Sequence, residues 1–249
     1  MLNVKKRIVL SLTFLDGVLF RTKNFKPDYM YTKNFVDMWS VDEILIIDIS
    51  KNKFSKSFFE IIKFFSSKCF VPLTIGGGIK KLSDADDFFK SGADKILLGT
   101  HAIENSKVIN EISKKYGNQS IIQSIDCKRS NEKNQWNVMT NSGRINIQEE
   151  PIQLAKKMIK MGAGEILINS IDNDGGLLGY DLDLIKMFSE NINCPILALG
   201  GAGNWNHILE LFQQTDISAA CTQNIFHFTE DSILSVKNFL KAQDIKIRK

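Results

Sequence analysis

Two glycine-rich segments, set almost half a chain apart, constrain this sequence more than any other feature. Residues 73–79 read Leu-Thr-Ile-Gly-Gly-Gly-Ile and residues 199–203 read Leu-Gly-Gly-Ala-Gly. Pro72 precedes the first and Pro195 the second, 123 residues apart in a chain of 249. Each segment closes a short apolar run and opens a stretch with helical spacing, Lys80 to Ser91 in the first copy. Glu43-Ile44-Leu45 recurs as Glu165-Ile166-Leu167 at an offset of 122, and Ile8–Thr13 parallels Ile121–Asp126 at 113. Three segments with nearly constant offsets outweigh any single match and point to a duplicated half.

The rest of the chain fills in that half twice. Apolar, β-branched runs at Ile8–Leu12, Glu43–Ile49, Phe70–Ile75, Lys95–Leu98, Ile121–Ile125, Glu165–Ile168, Cys194–Leu199 and Ile217–Cys221 read as strands. Helical spacing follows at Tyr31–Trp39, Ser57–Ser66, a Ser83-capped segment to Phe89, Lys107–Tyr116, Pro151–Met161, Leu182–Ser189, Trp205–Phe212 and Asp231–Ala242. Strands this continuously apolar need helices over their outer face. With no linker dividing them, the eight units predict a single α/β domain over residues 1–249, a (β/α)8 TIM barrel with a two-fold half-barrel repeat. An open doubly wound sheet is the alternative, and it leaves the halving unexplained. Two stretches break the rhythm. Basic Arg21–Lys26 reads as a mobile loop, and polar Asn131–Ile147, with Trp136-Asn137-Val138 and Gly143, as a small hairpin.

Charge and cysteine usage exclude several function classes. The chain carries 32 basic and 28 acidic residues, a net +4, too small an excess to imply nucleic acid but compatible with anionic ligands. No apolar run approaches the roughly 18 residues of a membrane helix, and the N-terminus lacks a signal-peptide pattern, so a cytoplasmic location is expected. Cys69, Cys127, Cys194 and Cys221 have no C-x-x-C spacing and read as reduced, mostly buried thiols. His101, His207 and His227 are scattered; neither a metal nor a cofactor is expected.

In such a barrel the C-terminal strand ends carry the active site. That places Thr13, Asp48, Gly76–Gly78, Thr100, Asp126, Asn169, Asp174, Gly200, Gly201 and Asn224 on one face. The glycines let a backbone approach a ligand closely, and the helices behind them favour phosphate. Two equivalent half-barrels imply a ligand with two similar anionic ends. Asp126, at the end of an apolar strand, is the leading acid/base candidate against a purely structural carboxylate. Asp174, before Gly175-Gly176, either holds a ligand hydroxyl or makes an Asx turn. Lys80 is an anion-steering group or a solvated helix residue. At the opposite end Arg7, Glu43, Lys95 and Glu165 all stand at strand starts, two bases facing two acids. They read either as a salt-bridged floor or as a gate over a conduit through the barrel.

These residues carry a resemblance. Lys6-Arg7-Ile8, Asp16-Gly17, Pro72–Ile79, Gly92-Ala93-Asp94-Lys95, Ile125–Arg129, Gly162–Leu167, Gly179-Tyr180-Asp181, Gly200–Gly203 and Ile225–Phe228 together resemble the HisF family, the cyclase subunit of imidazole glycerol phosphate synthase, along nearly the whole chain. The resemblance implies a HisH-like glutaminase partner, whose ammonia travels through the barrel to a doubly phosphorylated substrate. It implies that Arg7, Glu43, Lys95 and Glu165 form the ammonia gate and that Asp94 meets the glutaminase. Gly78, Thr100, Gly175, Gly201 and Asn224 fall on phosphate-site positions, and Asp126 on one of two catalytic aspartates.

The other catalytic aspartate is replaced. Where the family reads Cys-Leu-Asp-Val, this chain has Ser11-Leu12-Thr13-Phe14, and Thr13 cannot act as a carboxylate base. Arg21 stands for the loop lysine, Leu199 for a serine, Gly99 for an asparagine, Asn169 for a threonine and Asn224 for a serine. The changes gather on the substrate side and leave the ammonia side intact. This pattern is similar to the HisF-like paralogues of surface-sugar pathways, the acetamidino-modification (WbuZ/AglZ-type) branch. That likeness implies glutamine-dependent amidination of an activated amino sugar, a separate sugar amidotransferase, and a phosphorylated or nucleotide-activated substrate. Asp126 would transfer the proton and Arg21 would clamp an anion. The ordinary histidine-pathway cyclase, and a scaffold that only activates the glutaminase and conducts ammonia, are the rival readings.

Overall fold

The apolar runs of the sequence do become strands, and they close on themselves. The computed structural model describes residues 5–31, 40–132, 135–223 and 233–248. Four barrel strands come from the first half: β1 (Arg7–Leu15), β4 (Glu43–Asp48), β5 (Leu73–Gly76) and β6 (Lys95–Leu98). Four come from the second: β7 (Ile121–Arg129), β10 (Glu165–Ser170), β11 (Ile196–Leu199) and β12 (Ala219–Thr222). All neighbours run parallel, in the order β1-β4-β5-β6-β7-β10-β11-β12, and β12 pairs back to β1. The result is a closed (β/α)8 TIM barrel with no free edge.

The half-barrel repeat is exact at the level of register. Val9 pairs Glu43 and Thr13 pairs Ile47; Ile122 pairs Glu165 and Asp126 pairs Asn169. Both first strands are nine residues long and run on past the barrel into antiparallel partners. In the first half these are β2 (Val18–Lys23) and β3 (Lys26–Tyr31), in the second β8 (Trp136–Thr140) and β9 (Ile145–Asn146). The second of these is the hairpin expected between Asn131 and Ile147. The first corrects the mobile loop expected at Arg21–Lys26. Leu19 is fully buried, and Asn24 and Phe25 take the positive φ of a tight turn, so the basic residues ride on an ordered hairpin.

Helices cover the outside. They are α1 (Lys56–Lys68), α2 (Leu82–Lys90), α3 (Thr100–Glu104), α4 (Lys107–Tyr116), α5 (Pro151–Met161), α6 (Leu182–Asn191), α7 (Trp205–Gln214) and α8 (Ile233–Ala242). Their ends follow local chemistry: Ser55 accepts from the Phe58 N–H, Asp181 from Leu184 and Asn204 from His207, and Pro151 opens α5 behind Glu150. Ser83 does not cap α2, which starts at Leu82. The Asp84 carboxylate instead accepts the Lys80 and Lys81 N–H groups, at 2.9 and 3.2 Å. The helix expected at Tyr31–Trp39 lies outside the described residues from position 32 on, as do Asn224, Ile225–Phe228 and the start of the last expected helix.

The main core lies between barrel and helices. Phe14, Phe58, Phe65, Phe88 and Phe188 are fully buried there, with Phe14 and Phe58 rings 4.9 Å apart. A buried ion pair, Lys237 Nζ to Asp42 Oδ1 at 2.6 Å, ties α8 to this layer, and Asp42 Oδ2 also accepts the Ile8 N–H. Inside the barrel, alternation turns Arg7, Val9, Ser11 and Thr13 of β1 inward. A second apolar cluster, with Val9, Leu45, Leu97, Ile122, Leu167 and Leu197, fills the middle of the interior. Cys127 and Cys221 are buried and Cys69 and Cys194 partly so; all four are free thiols. No described helix is long and apolar enough to cross a membrane.

Candidate active site

The C-terminal strand ends surround a cavity of about 440 Å³. Of the residues expected at the mouth, Thr13, Asp48, Gly78, Thr100, Asp126, Asn169 and Asp174 line it. Arg21, Asp174, Gly175 and Gly201 instead meet around a small recess of about 20 Å³, with Gly200, Thr222 and Gln223. Asp174 lines both spaces.

Asp126 is the most developed group on this face. Asn169 Nδ2 donates to its Oδ1 at 3.0 Å, and Ser124 Oγ to the same oxygen at 3.4 Å. Burial pushes the carboxyl up to about 6, and these two hydrogen bonds and Asp174 modify that shift. Burial likewise holds Asp174 at about 6, against the Phe25 and Asn24 N–H groups and the charge of Arg21. Two carboxyls poised near neutrality in one cavity can take up and release protons at physiological pH. Thr13, only 3% exposed, is the half-barrel counterpart of Asp126 and offers a hydroxyl where the second half offers a carboxylate.

The glycines have a packing reason beside the ligand approach that their motif suggests. A Cβ on Gly77 would lie 2.4 Å from the Asp48 carbonyl oxygen, and one on Gly200 2.6 Å from that of Ser170. A Cβ on Gly201 would stand 1.9 Å from Gly179 O. All three have positive φ, so glycine here lets each strand end fold against its neighbour's backbone. Other expected groups are also engaged with protein. Thr100 Oγ1 accepts the Asn141 N–H at 3.0 Å, and Asp48 Oδ1 accepts that of Ser50 at 2.8 Å. Arg21 is ion-paired with Asp28 on the hairpin.

At the other end of the barrel the four charges do meet. Arg7 Nη1 reaches Glu43 at 2.9 Å and Nη2 reaches Glu165 at 2.8 Å. Lys95 Nζ bridges the same two carboxylates at 3.2 and 2.7 Å, and Thr74 Oγ1 donates to Glu43 at 2.7 Å. Burial opposes the Arg7 charge, but Glu165 and Glu43 outweigh it and hold the guanidinium above its usual value. Burial raises Glu165, and Arg7 and Lys95 more than reverse that. Asp94, exposed beside Lys95, accepts the Leu73 N–H at 2.8 Å. Above the ring, Ser11 Oγ is buried with no hydrogen-bond partner.

Sequence reasoning missed Lys53, Ser124 and Gln223. Lys53 had a readable signal, since Lys51-Asn52-Lys53 begins three residues after Asp48, which ends a strand. Gln223 had none: its amide accepts the Thr22 N–H at 3.0 Å across a separation of 201 residues. Among the described residues no group of histidines, cysteines and carboxylates could hold a metal.

The model of a family described as histidine biosynthesis protein matches residues 3–232. The imidazole glycerol phosphate synthase subunit HisF of Clostridium botulinum (strain Langeland) is 38% identical over 251 residues, covering 98% of this chain and 99% of that protein. The chain belongs to the HisF family. The HisF subunit of Bacillus cereus (strain G9842) is 35% identical over 249 residues, covering 98% of each chain. Membership of the HisF family accounts for the barrel and for the doubled register of its halves.

Proposed function

We propose that this chain is the synthase subunit of a glutamine amidotransferase, a barrel that receives ammonia from a HisH-like glutaminase and uses it at its mouth. The observation that carries the reading is the ring of four buried charges on the floor, set below an apolar interior and a poised Asp126. A glutaminase would dock on the floor around Asp94, and ammonia would enter past Lys95. Gly78 with Thr100, and Gly175 with Gly201 and Asn224, would seat the two anionic ends of the acceptor. Arg21 and Asp48 would close over it. The nitrogen lone pair then forms a C–N bond at the acceptor carbon as the leaving group departs with its electron pair. Asp126 takes the proton released from nitrogen, at the oxygen that Asn169 and Ser124 leave free.

Thr13 supports the finer reading, amidination of an activated amino sugar, because one carboxylate suffices for one proton transfer from nitrogen. A cyclisation that needs a carboxylate at the end of β1 opposite Asp126 would find the Thr13 hydroxyl there instead. The names of the relatives support the second reading, the cyclase of imidazole glycerol phosphate synthase. Turnover of the ribulosyl-aminoimidazole precursor with ammonium, lost in Asp126→Asn, would establish the cyclase and sink amidination. Formation of an acetamidino sugar in the presence of the glutaminase and sugar amidotransferase, lost in Asp126→Asn, supports the first reading. If Asp126→Asn retains that product while Lys95→Ala abolishes it, the chain is a scaffold that only conducts ammonia. Co-purification with a glutaminase whose activity rises on mixing tests what all three share.

A further inference from the structure

One end of the mouth carries two lysines, Lys53 and Lys80, and Lys53 is the one that lies across a glycine of that end. The side chain leaves the loop after β4 and lies directly across Gly78. A Cβ on Gly78 would stand 2.7 Å from Lys53 Cγ and 3.1 Å from its Cβ and Cδ, so glycine there makes room for the lysine stem. Nζ donates to the Asp48 carbonyl at 2.5 Å and stands 4.0 Å from Asp48 Oδ1. The carbonyl occupies one of the three N–H donors of an ammonium. The side chain is 30% exposed and lines the cavity together with Gly77, Gly78, Lys80, Thr100 and His101. Asp126, Asn169 and Asp174 belong to strands and loops of the other half-barrel, so the cavity's two lysines, Lys53 and Lys80, stand on the β4–β6 side, where Asp48 and Glu104 also line it.

We propose that Lys53 is the oxyanion anchor of the first half-barrel, its ammonium held by the Asp48 carbonyl so that the remaining N–H groups meet a phosphoryl oxygen of the substrate over Gly77-Gly78. The second half places a lysine stem against its own glycine, since a Cβ on Gly175 would stand 2.7 Å from Lys23 Cα and Cβ, and its recess is bounded by Arg21 of the same hairpin and by Gln223. The first seat is thus read by a compact ammonium lining the cavity, and the second adds the planar guanidinium of Arg21. Burial lowers the Lys53 ammonium from its usual value, against the opposing charges of Asp48 and Asp16. The proposal rests on the phosphate-seating reading given above and adds to it the residue that discriminates the first seat.

The test is binding of inorganic phosphate and of pyrophosphate to the full chain, followed by calorimetry and by phosphorus NMR, in the wild type, Lys53→Gln and Lys53→Arg. Loss of a charge-assisted hydrogen bond in Lys53→Gln should weaken binding at least about tenfold, and Lys53→Arg should recover most of it. Wild-type binding that Lys53→Gln leaves within about twofold would overturn the role of Lys53 and spare the seat. A wild type that binds neither anion would overturn the seat itself. Unchanged thermal midpoints in the Lys53 variants separate either result from misfolding.

Discussion

At the floor of the barrel Arg7 and Lys95 neutralise Glu43 and Glu165 through a closed ring of contacts, the longest 3.2 Å. At the mouth Asp126 and Asp174 sit buried on neutral donors, with Arg21 only partly offsetting burial at Asp174, and both are held near a pKa of about 6. The two ends use the same device, charged side chains turned into a barrel interior, with opposite results. Paired charges in low dielectric lock a structure, and removing one partner is far costlier than the pair is favourable. Unpaired ones lower stability and stay available for proton transfer or a ligand. The floor is thus the rigid end and the mouth the reactive one.

The comparison breaks most visibly at Arg7. Arg7→Met should leave Glu43 and Glu165 sharing Lys95 alone and destabilise the chain by about 3–5 kcal/mol, measured by urea unfolding at pH 7. A loss below about 1 kcal/mol would show that the ring is not the rigid element claimed.

Next in size is a change at the mouth that spares the fold. Asp126→Asn should lower ammonium-dependent turnover by about 10²–10⁴-fold. The same variant should be at least as stable as the wild type in urea at pH 7.5, because it removes a buried carboxylate. Lower stability would make Asp126 a structural group.

The pH dependence sharpens the contrast. Asp126 and Asp174 bind protons more tightly folded than unfolded, so they favour the folded chain at low pH and lose that contribution as pH rises from about 4 through about 6. Glu165 is lowered, so its contribution is present above its usual 4.5 and is lost as pH falls. Between pH 5 and 7.5 the wild type should lose on the order of 1 kcal/mol that Asp126→Asn does not, read from unfolding at the two pH values. Parallel curves for the two proteins would refute the assignment.

The smallest effect belongs to the interior between the two ends. Ser11 Oγ is buried without a partner, so Ser11→Ala should be neutral or stabilise by up to about 1 kcal/mol. A marked loss would mean that the hydroxyl has a partner that static packing does not display.

Much of the fold was legible because strand and helix periods are local. Pro151–Met161 matches its helix end to end, since proline at the first turn and Gly162 after the last are both sequence signals. The floor was legible for a related reason. Arg7, Glu43, Lys95 and Glu165 are charges at the first position of their strands, and closure of a parallel barrel leaves their side chains one place to go. The hairpin at β2–β3 was not legible, because polar and basic residues hide a ribbon whose order comes from pairing with β1 and from burial of Leu19. The glycines were located correctly, but their packing role was not legible, since the atoms that Gly77 and Gly200 avoid belong to residues 29 and 30 positions earlier in the chain, Asp48 and Ser170.

What the sequence by itself determined is the number and polarity of the strands, the doubled half, and the identity of the groups at each strand end. Hydrophobic period and turn chemistry act over a few residues and are written in order along the chain. Only the tertiary structure decided which groups meet. Asn169 and Ser124 tie one oxygen of Asp126, Lys53 lies in the space that Gly78 leaves open, and Gln223 grips Thr22 of the hairpin. Those distances depend on barrel closure and stagger, which bring together residues up to 201 positions apart and are set by the packing of all the strands at once.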